Sequence, residues 1–409
     1  MIFNTSVMSK FQALLIILIV ITISGCSSDD LSFNNDWDED VYFFSENIKE
    51  KHVDLFFNIS ESEFDKDIET LRNNTASNSE TKTIIELLKI LSKVGDSHTQ
   101  MQYSSKLTSL PFSTKWLDDG IFLTEVDINN EQHLGSRIIG INDTPIEDVI
   151  DNFRKVISYE NESNYKNQFI EYMKYIDFYN DFGISDSSNE IAINLDNGIS
   201  YNVASDATQT LSIQSNNPPL FLKDTQTFYW FEELKEDKIM YIQYNLCRER
   251  DDLSFQSFTD QIVSRIENND HIEKLVIDLR HNGGGNSSII RPLISEIKNY
   301  IYNNRFQTND IYVIIGRKTF SSAVLNTTEL KDLYQVVVIG EPTGGKPNHH
   351  GEVLNFRLPN SLLNVSYSTK YFKFSPTDDD AIYPDVSIEY NSDDLLNEID
   401  PILEKIKND

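Results

Sequence analysis

Leu275-Val276-Ile277-Asp278-Leu279-Arg280-His281-Asn282-Gly283-Gly284-Gly285 is a short apolar run that empties into three consecutive glycines. The stretch from Ser287 onward has helical spacing, so the glycines read as a strand-to-helix loop. The same alternation continues on both sides. Upstream, a strand over 240–244 is followed by a helix near 255–267. Downstream come a helix over 289–300, a strand over 311–315, a helix over 321–333 and a strand over 336–339. Strands alternating with helices at this length predict an α/β domain over 227–409 with a largely parallel sheet. In such sheets ligands bind in the loops that follow the carboxyl ends of the strands.

Three of those loops carry chemistry-bearing residues. The triple glycine lets backbone amides approach a ligand and point at developing negative charge. After strand 311–315, Thr319-Phe320-Ser321-Ser322-Ala323 opens a helix, which places a serine hydroxyl at the strand's carboxyl end. Ser and Thr are also the commonest helix caps, so the serine alone carries little. After strand 336–339 comes Gly340-Glu341-Pro342-Thr343-Gly344-Gly345-Lys346. A lysine in a dry pocket can take a proton from a hydroxyl near neutral pH, because burial disfavours its charged form.

Composition narrows the alternatives. The 409 residues exceed what one core requires, and 39% hydrophobic with 11% aromatic residues supply ample apolar surface. With 35 Lys and Arg against 65 Asp and Glu, the net charge of −30 repels a polyphosphate, which excludes nucleic acid as a partner. Two cysteines, Cys26 and Cys247, allow neither a disulfide framework nor a zinc site on cysteine pairs.

Lys10 precedes an apolar run over 13–23, and Ser24-Gly25 then leads to Cys26. Eleven residues are too few to span a bilayer, which takes about 20, so 1–25 reads as a signal peptide. Ile23-Ser24-Gly25-Cys26 resembles the bacterial lipobox, which implies cleavage before Cys26 and lipid on that residue. The chain is then expected in a bacterial outer membrane or cell envelope, lipid-anchored, periplasmic or surface-exposed. Residues 26–40 form a tether. A helical N-terminal domain follows over 41–107, clearest where Ile84, Leu87, Leu88, Leu91 and Val94 recur. Residues 108–202 turn to short strands at 121–126 and 137–141 with a helix from near Pro145, and 134–142 resembles part of a PDZ domain. A polar connection over 203–226 leads to the α/β domain.

From 240 to 388 the chain resembles the tail-specific, or C-terminal processing, serine proteases. Asp278-Leu279-Arg280 with Asn282-Gly283-Gly284-Gly285, the Ser321 segment, and Gly340-Glu341-Pro342-Thr343 with Gly345-Lys346 stand in that family's order and spacing. The resemblance implies a crotonase-like α/β fold, with Ser321 as nucleophile and Lys346 as general base. It also implies an oxyanion hole from the amides of Ser322 and the glycine loop, Gly284 and Gly285 being the choices. No metal or organic cofactor is implied; the substrates would be polypeptides. The family's Glu and Gln beside the nucleophile and lysine are replaced by Val324 and His350. Gly95-Asp96-Ser97-His98-Thr99 resembles the Ser-His segment of PDZ-poor relatives such as the tricorn core protease, where the histidine is the base, so His98 is a second candidate. Asp378-Asp379-Asp380 offers a carboxylate to orient it.

Gly340 to Lys346 also matches most of a P-loop, but Pro347 supplies neither hydroxyl nor amide hydrogen and strands follow where a helix is required. His349 and His350 are adjacent, so in a strand they face opposite sides, which disfavours a metal site. The alternative function is a catalytically inactive peptide-binding lipoprotein on a protease fold, supported by Val324 and His350 alone.

Overall fold

The computed structural model describes residues 32–186, 189–206, 209–213 and 218–409. Signal peptide and Cys26 lie outside these. Asn35, Ser60 and Ser79 each accept a backbone N–H and start the helices Asp36–Lys51, Glu61–Asn74 and Glu80–Val94. The third helix buries the stripe Ile84, Leu87, Leu88, Leu91 and Val94, and stops at Gly95 in a left-handed conformation (φ 74°). That stop releases Asp96-Ser97-His98-Thr99 from the helix.

Among the described residues there are three sheets. In the six-stranded one, strands Lys274–Asp278, Ile311–Ile315, Val337–Gly340 and Val386–Ser387 continue in parallel from Ile239–Tyr244, with Tyr229–Leu234 antiparallel at the opposite edge. Its strands are buried on both faces, as a helix-covered sheet requires. The helices Phe255–Glu267, Arg291–Tyr302 and Ser322–Tyr334 connect them. The chain is thus mixed α/β, and the strands and helices expected between 240 and 339 are present, each within a residue or two of its expected ends.

A second, seven-stranded antiparallel sheet runs from Ser113–Leu117 to Thr210–Ser212 and includes Gly120–Asp127 and Arg137–Ile141. The 203–226 connection is more structured than its polar composition predicts. Thr210–Ser212 pairs with Gly120–Asp127, and Phe221 is buried. The third sheet is a hairpin, Asn348–Arg357 with Asn364–Lys373, whose second strand also pairs antiparallel with Gln100–Met101. One continuous apolar cluster joins the N-terminal helices, the seven-stranded sheet and Leu358, Leu363 and Val365 of the hairpin segment. The hairpin thus carries the C-terminal half of the chain into the core of the N-terminal half.

Candidate active site

Ser321 stands at the carboxyl end of the Ile311–Ile315 strand, at the N-cap of the Ser322–Tyr334 helix, yet its side chain makes no capping bond. Its backbone has φ 51° and ψ −124°, a conformation costly for a residue with a Cβ and held by its surroundings. Phe320 N–H donates to Asn282 O (3.0 Å), and the Thr319 hydroxyl donates to Leu279 O (2.9 Å), so the serine loop is pinned to the glycine loop. Ser322 is engaged elsewhere: its hydroxyl donates to Gly285 O at 2.6 Å.

The glycines divide their tasks. Gly284 N–H donates to the buried Asn282 Oδ1 at 2.9 Å, so this amide, expected free for an oxyanion, is already committed. What Gly284 provides is space, because a Cβ there would lie 2.7 Å from Ser321 Cβ. Gly285 holds φ 126° against Cys247 O, where a Cβ would approach to 2.3 Å. Among the described residues neither Gly285 N–H nor Ser322 N–H has a hydrogen-bond acceptor. Two unpaired amides therefore flank Ser321.

The Gly95–Thr99 loop reaches this place through Gln100–Met101, which pairs with the hairpin. The His98 ring stacks on Phe320 (centroids 4.4 Å) and on His349 (5.3 Å). It is 9% exposed, and neither ring nitrogen makes a hydrogen bond. Two carboxylates stand near its Nδ1: Glu160 Oε1 at 3.5 Å and Asp96 Oδ1 at 3.7 Å. Burial alone would lower the imidazole's pKa, but Asp96 and Glu160 together raise it to about 9. The residues expected to orient His98, Asp378 to Asp380, do not; Asp380 instead offers its carbonyl to Asn161 and its carboxylate to Tyr383.

Asp96 anchors the loop. His52 Nε2 (3.0 Å), Thr99 Oγ1 (2.5 Å) and Ser368 Oγ (2.7 Å) converge on its Oδ2, and His98 N–H (3.0 Å) on its Oδ1. Because Asp54 N–H donates to His52 Nδ1, the proton of that ring sits on Nε2 and points at the carboxylate. Burial opposes ionisation of Asp96, yet His52, His98 and Ser368 hold its pKa well below the ordinary range.

Lys346 enters through its backbone. Its N–H lies 3.4 Å from Glu160 Oε2 and its carbonyl accepts from His349 Nδ1 at 2.7 Å. Its ammonium makes no hydrogen bond or ion pair among the described residues. Gly345 packs under the nucleophile, 3.2 Å from a would-be Cβ to Ser321 N.

Residues 238–388 match the model of Peptidase family S41. Over this segment the chain is an S41-type serine peptidase. No curated protein matches the chain. Among solved structures, mature CPAF complexed with lactacystin superposes with a TM-score of 0.60 at 10% identity, over 91% of this chain and 97% of that one. Mature CPAF alone gives 0.60 at 10%, over 91% and 95%. The photosystem II D1 C-terminal processing protease gives 0.44 at 12%, over 91% and 97%. The CPAF likeness shows that the shared fold extends well beyond the S41 segment itself.

Around this peptidase site, reading the sequence did not find Glu160 or His52, weighed His349 only as a metal ligand, and gave Asp96 no role. Asp96 had a signal, standing two residues before His98; Glu160 lies in a polar loop between helices and had none. Asp96, His98 and Glu160 offer ligand atoms within 4.8 Å of one another and could hold a cation. Four hydrogen-bond donors already fill Asp96, so a cation would have to displace part of the loop's anchorage.

Proposed function

We propose that this chain is a serine endopeptidase that hydrolyses polypeptides through an acyl-enzyme, with His98 rather than Lys346 as general base. The observation that carries it is the position of His98, stacked on the residue before Ser321 with both ring nitrogens unpartnered and two carboxylates beside it. In the neutral form His98 takes the Ser321 hydroxyl proton as the oxygen attacks the scissile carbonyl. The oxyanion then sits between the amides of Gly285 and Ser322. The imidazolium, held by Asp96 and Glu160, returns the proton to the leaving amine, and water releases the acyl group by the same route. The second reading keeps the Ser321-Lys346 dyad. In its favour stand the 25-residue spacing and the contact of the Lys346 backbone with the same cluster.

The proposal extends to the rest of the chain. The three N-terminal helices form the helical domain of a crotonase-like protease, and the seven-stranded sheet is a degenerate PDZ-like element. Cys26 carries lipid that anchors the enzyme at a bacterial envelope.

Casein digestion by the soluble chain from Ser27 onward, with and without chelator, tests the activity. Wild type is expected to cut in both conditions and Ser321→Ala in neither. Turnover by folded Ser321→Ala would remove the nucleophile assignment, and loss with chelator alone would bring a metal into the mechanism.

A further inference from the structure

No hydrogen bond fixes the ring of the proposed base. A histidine that takes a serine's proton ordinarily keeps its orientation through a hydrogen bond at the nitrogen facing away from the serine. Both ring nitrogens of His98 are unpartnered. The nearest carboxylate oxygens, Glu160 Oε1 and Asp96 Oδ1, stand 3.5 and 3.7 Å from Nδ1, too far for a good hydrogen bond. The torsion that turns an imidazole about its Cβ–Cγ bond has broad wells, so attraction at that range does not set the ring plane.

Two stacked rings supply the constraint. Phe320 lies against the imidazole with the planes 27° apart, and His349 lies against it more nearly parallel, at 10°. Phe320 moves with the nucleophile, because it precedes Ser321 and its N–H donates to Asn282 O in the glycine loop. His349 belongs to the hairpin, on strand Asn348–Arg357, where it pairs in register with Phe372 and the two rings are 5.5 Å apart. The His349 ring is itself fixed. Its Nδ1 is 2.7 Å from the Lys346 carbonyl, and a carbonyl only accepts, so the proton sits on Nδ1. Burial first, then the His98 charge, outweigh Glu160 and lower the His349 pKa, so this buried ring stays neutral. A neutral ring can lie against an imidazolium, whereas a second cation there would repel it.

We propose that His349 is a positioning residue for the base: seated on the Lys346 carbonyl, its ring face sets the plane in which His98 meets Ser321. The hairpin thereby orients the base from one side of the sequence while Phe320 does so from the nucleophile loop. The Lys346 segment then serves the reaction through its backbone carbonyl, by way of His349, and not through its ammonium. The inference rests on the peptidase reading with His98 as base and names what holds that base.

The test compares His349→Leu with His349→Phe in the soluble chain from Ser27 onward. Both give up the bond to the Lys346 carbonyl, but only Phe keeps a flat face, so the difference between them isolates the stacking. With one peptide substrate, His349→Leu is expected to lower kcat by about tenfold to 100-fold, the effect of a base displaced by up to about an ångström, while KM stays within about twofold. His349→Phe is expected to recover most of that loss. Wild-type kcat in His349→Leu, equal losses in the two variants, or a loss carried by KM overturns the positioning role. Proton NMR of the imidazoles reads the arrangement without turnover. His98, assigned among the seven histidines by His98→Ala, is expected to show upfield ring protons in wild type and His349→Phe, and to lose part of that shift in His349→Leu. An unshifted His98 in wild type, or a shift unchanged by Leu, overturns the stacking. If circular dichroism shows His349→Leu unfolded, His349→Phe decides: kcat below about a tenth of wild type, or a lost shift, overturns the role. A shifted His98 in a wild type that cuts nothing defeats the peptidase reading alone, and cutting with equal kcat in both variants defeats the positioning role alone.

Discussion

As the proposed general base, His98 works against two demands. A general base must be neutral, yet Asp96 and Glu160 outweigh burial and raise its pKa to about 9, so at neutral pH most of it is imidazolium. The sign of the consequence is fixed: kcat/KM should climb from pH 7 toward pH 9 as the proton leaves. Glu160→Gln removes one of the carboxylates that favour the charged ring, so the climb should move to lower pH. That shift distinguishes the two bases, because if Lys346 takes the proton, Glu160→Gln leaves the profile in place. His98→Ala is expected to lower kcat by about 100-fold or more, the ordinary worth of a positioned base, and to cost more than Lys346→Ala. The reverse ranking in stopped casein or peptide assays would return the chemistry to the dyad. Ser321 itself was readable as a helix-cap serine in sequence. Its uncapped side chain and positive φ separate it from that role, and neither shows in a string of residues.

The Gly95–Thr99 loop and the hairpin act as one element pair. Ser366 Oγ donates to the His98 and Gln100 carbonyls (3.1 and 3.2 Å), and Ser368 bonds Asp96, so the loop that presents His98 is fastened to the strand Asn364–Lys373. Asp96 is the knot, buried with four donors on it. Asp96→Ala leaves those donors unsatisfied in the interior, and the expected cost is about 3–5 kcal/mol, read as a fall in the urea midpoint with activity lost in parallel. The linkage has a definite direction. Asp96 has a depressed pKa, so its contribution is present above the ordinary carboxylate range near 4 and is lost as pH falls below it. A variant as stable as wild type would show that the loop is held by the backbone ladder alone.

Across the whole molecule the S41 segment is not self-sufficient. His98, Asp96 and Glu160 all come from the N-terminal side of residue 227, and the hairpin segment's Leu358, Leu363 and Val365 complete the core of that side. A fragment of 227–409 is therefore expected to elute as aggregates and to leave casein intact. Adding the 27–226 half in trans should restore measurable cutting if the halves fold together. Among the described residues no helix is long and apolar enough to cross a membrane. Cys26→Ala expressed in a bacterial host should move the chain from the membrane fraction to the soluble one.

The strands and helices from Ile239 to Tyr334 were legible because their apolar runs are continuous and glycine or serine marks each turn. The same local signals exposed the glycine loop, Ser321 and the Asp96 to His98 segment, since a strand ending in a loop is a matter of neighbouring residues. What surrounds His98 is not local. Glu160, His52 and Phe320 lie 62, 46 and 222 residues from it, and nothing in their immediate sequence distinguishes them from surface or core residues. Local spacing marks where chemistry can be placed along a chain, but a pKa and an unpaired amide depend on burial and on charges brought together across it, so the choice of base, of oxyanion donor and of counter-charge belongs to packing.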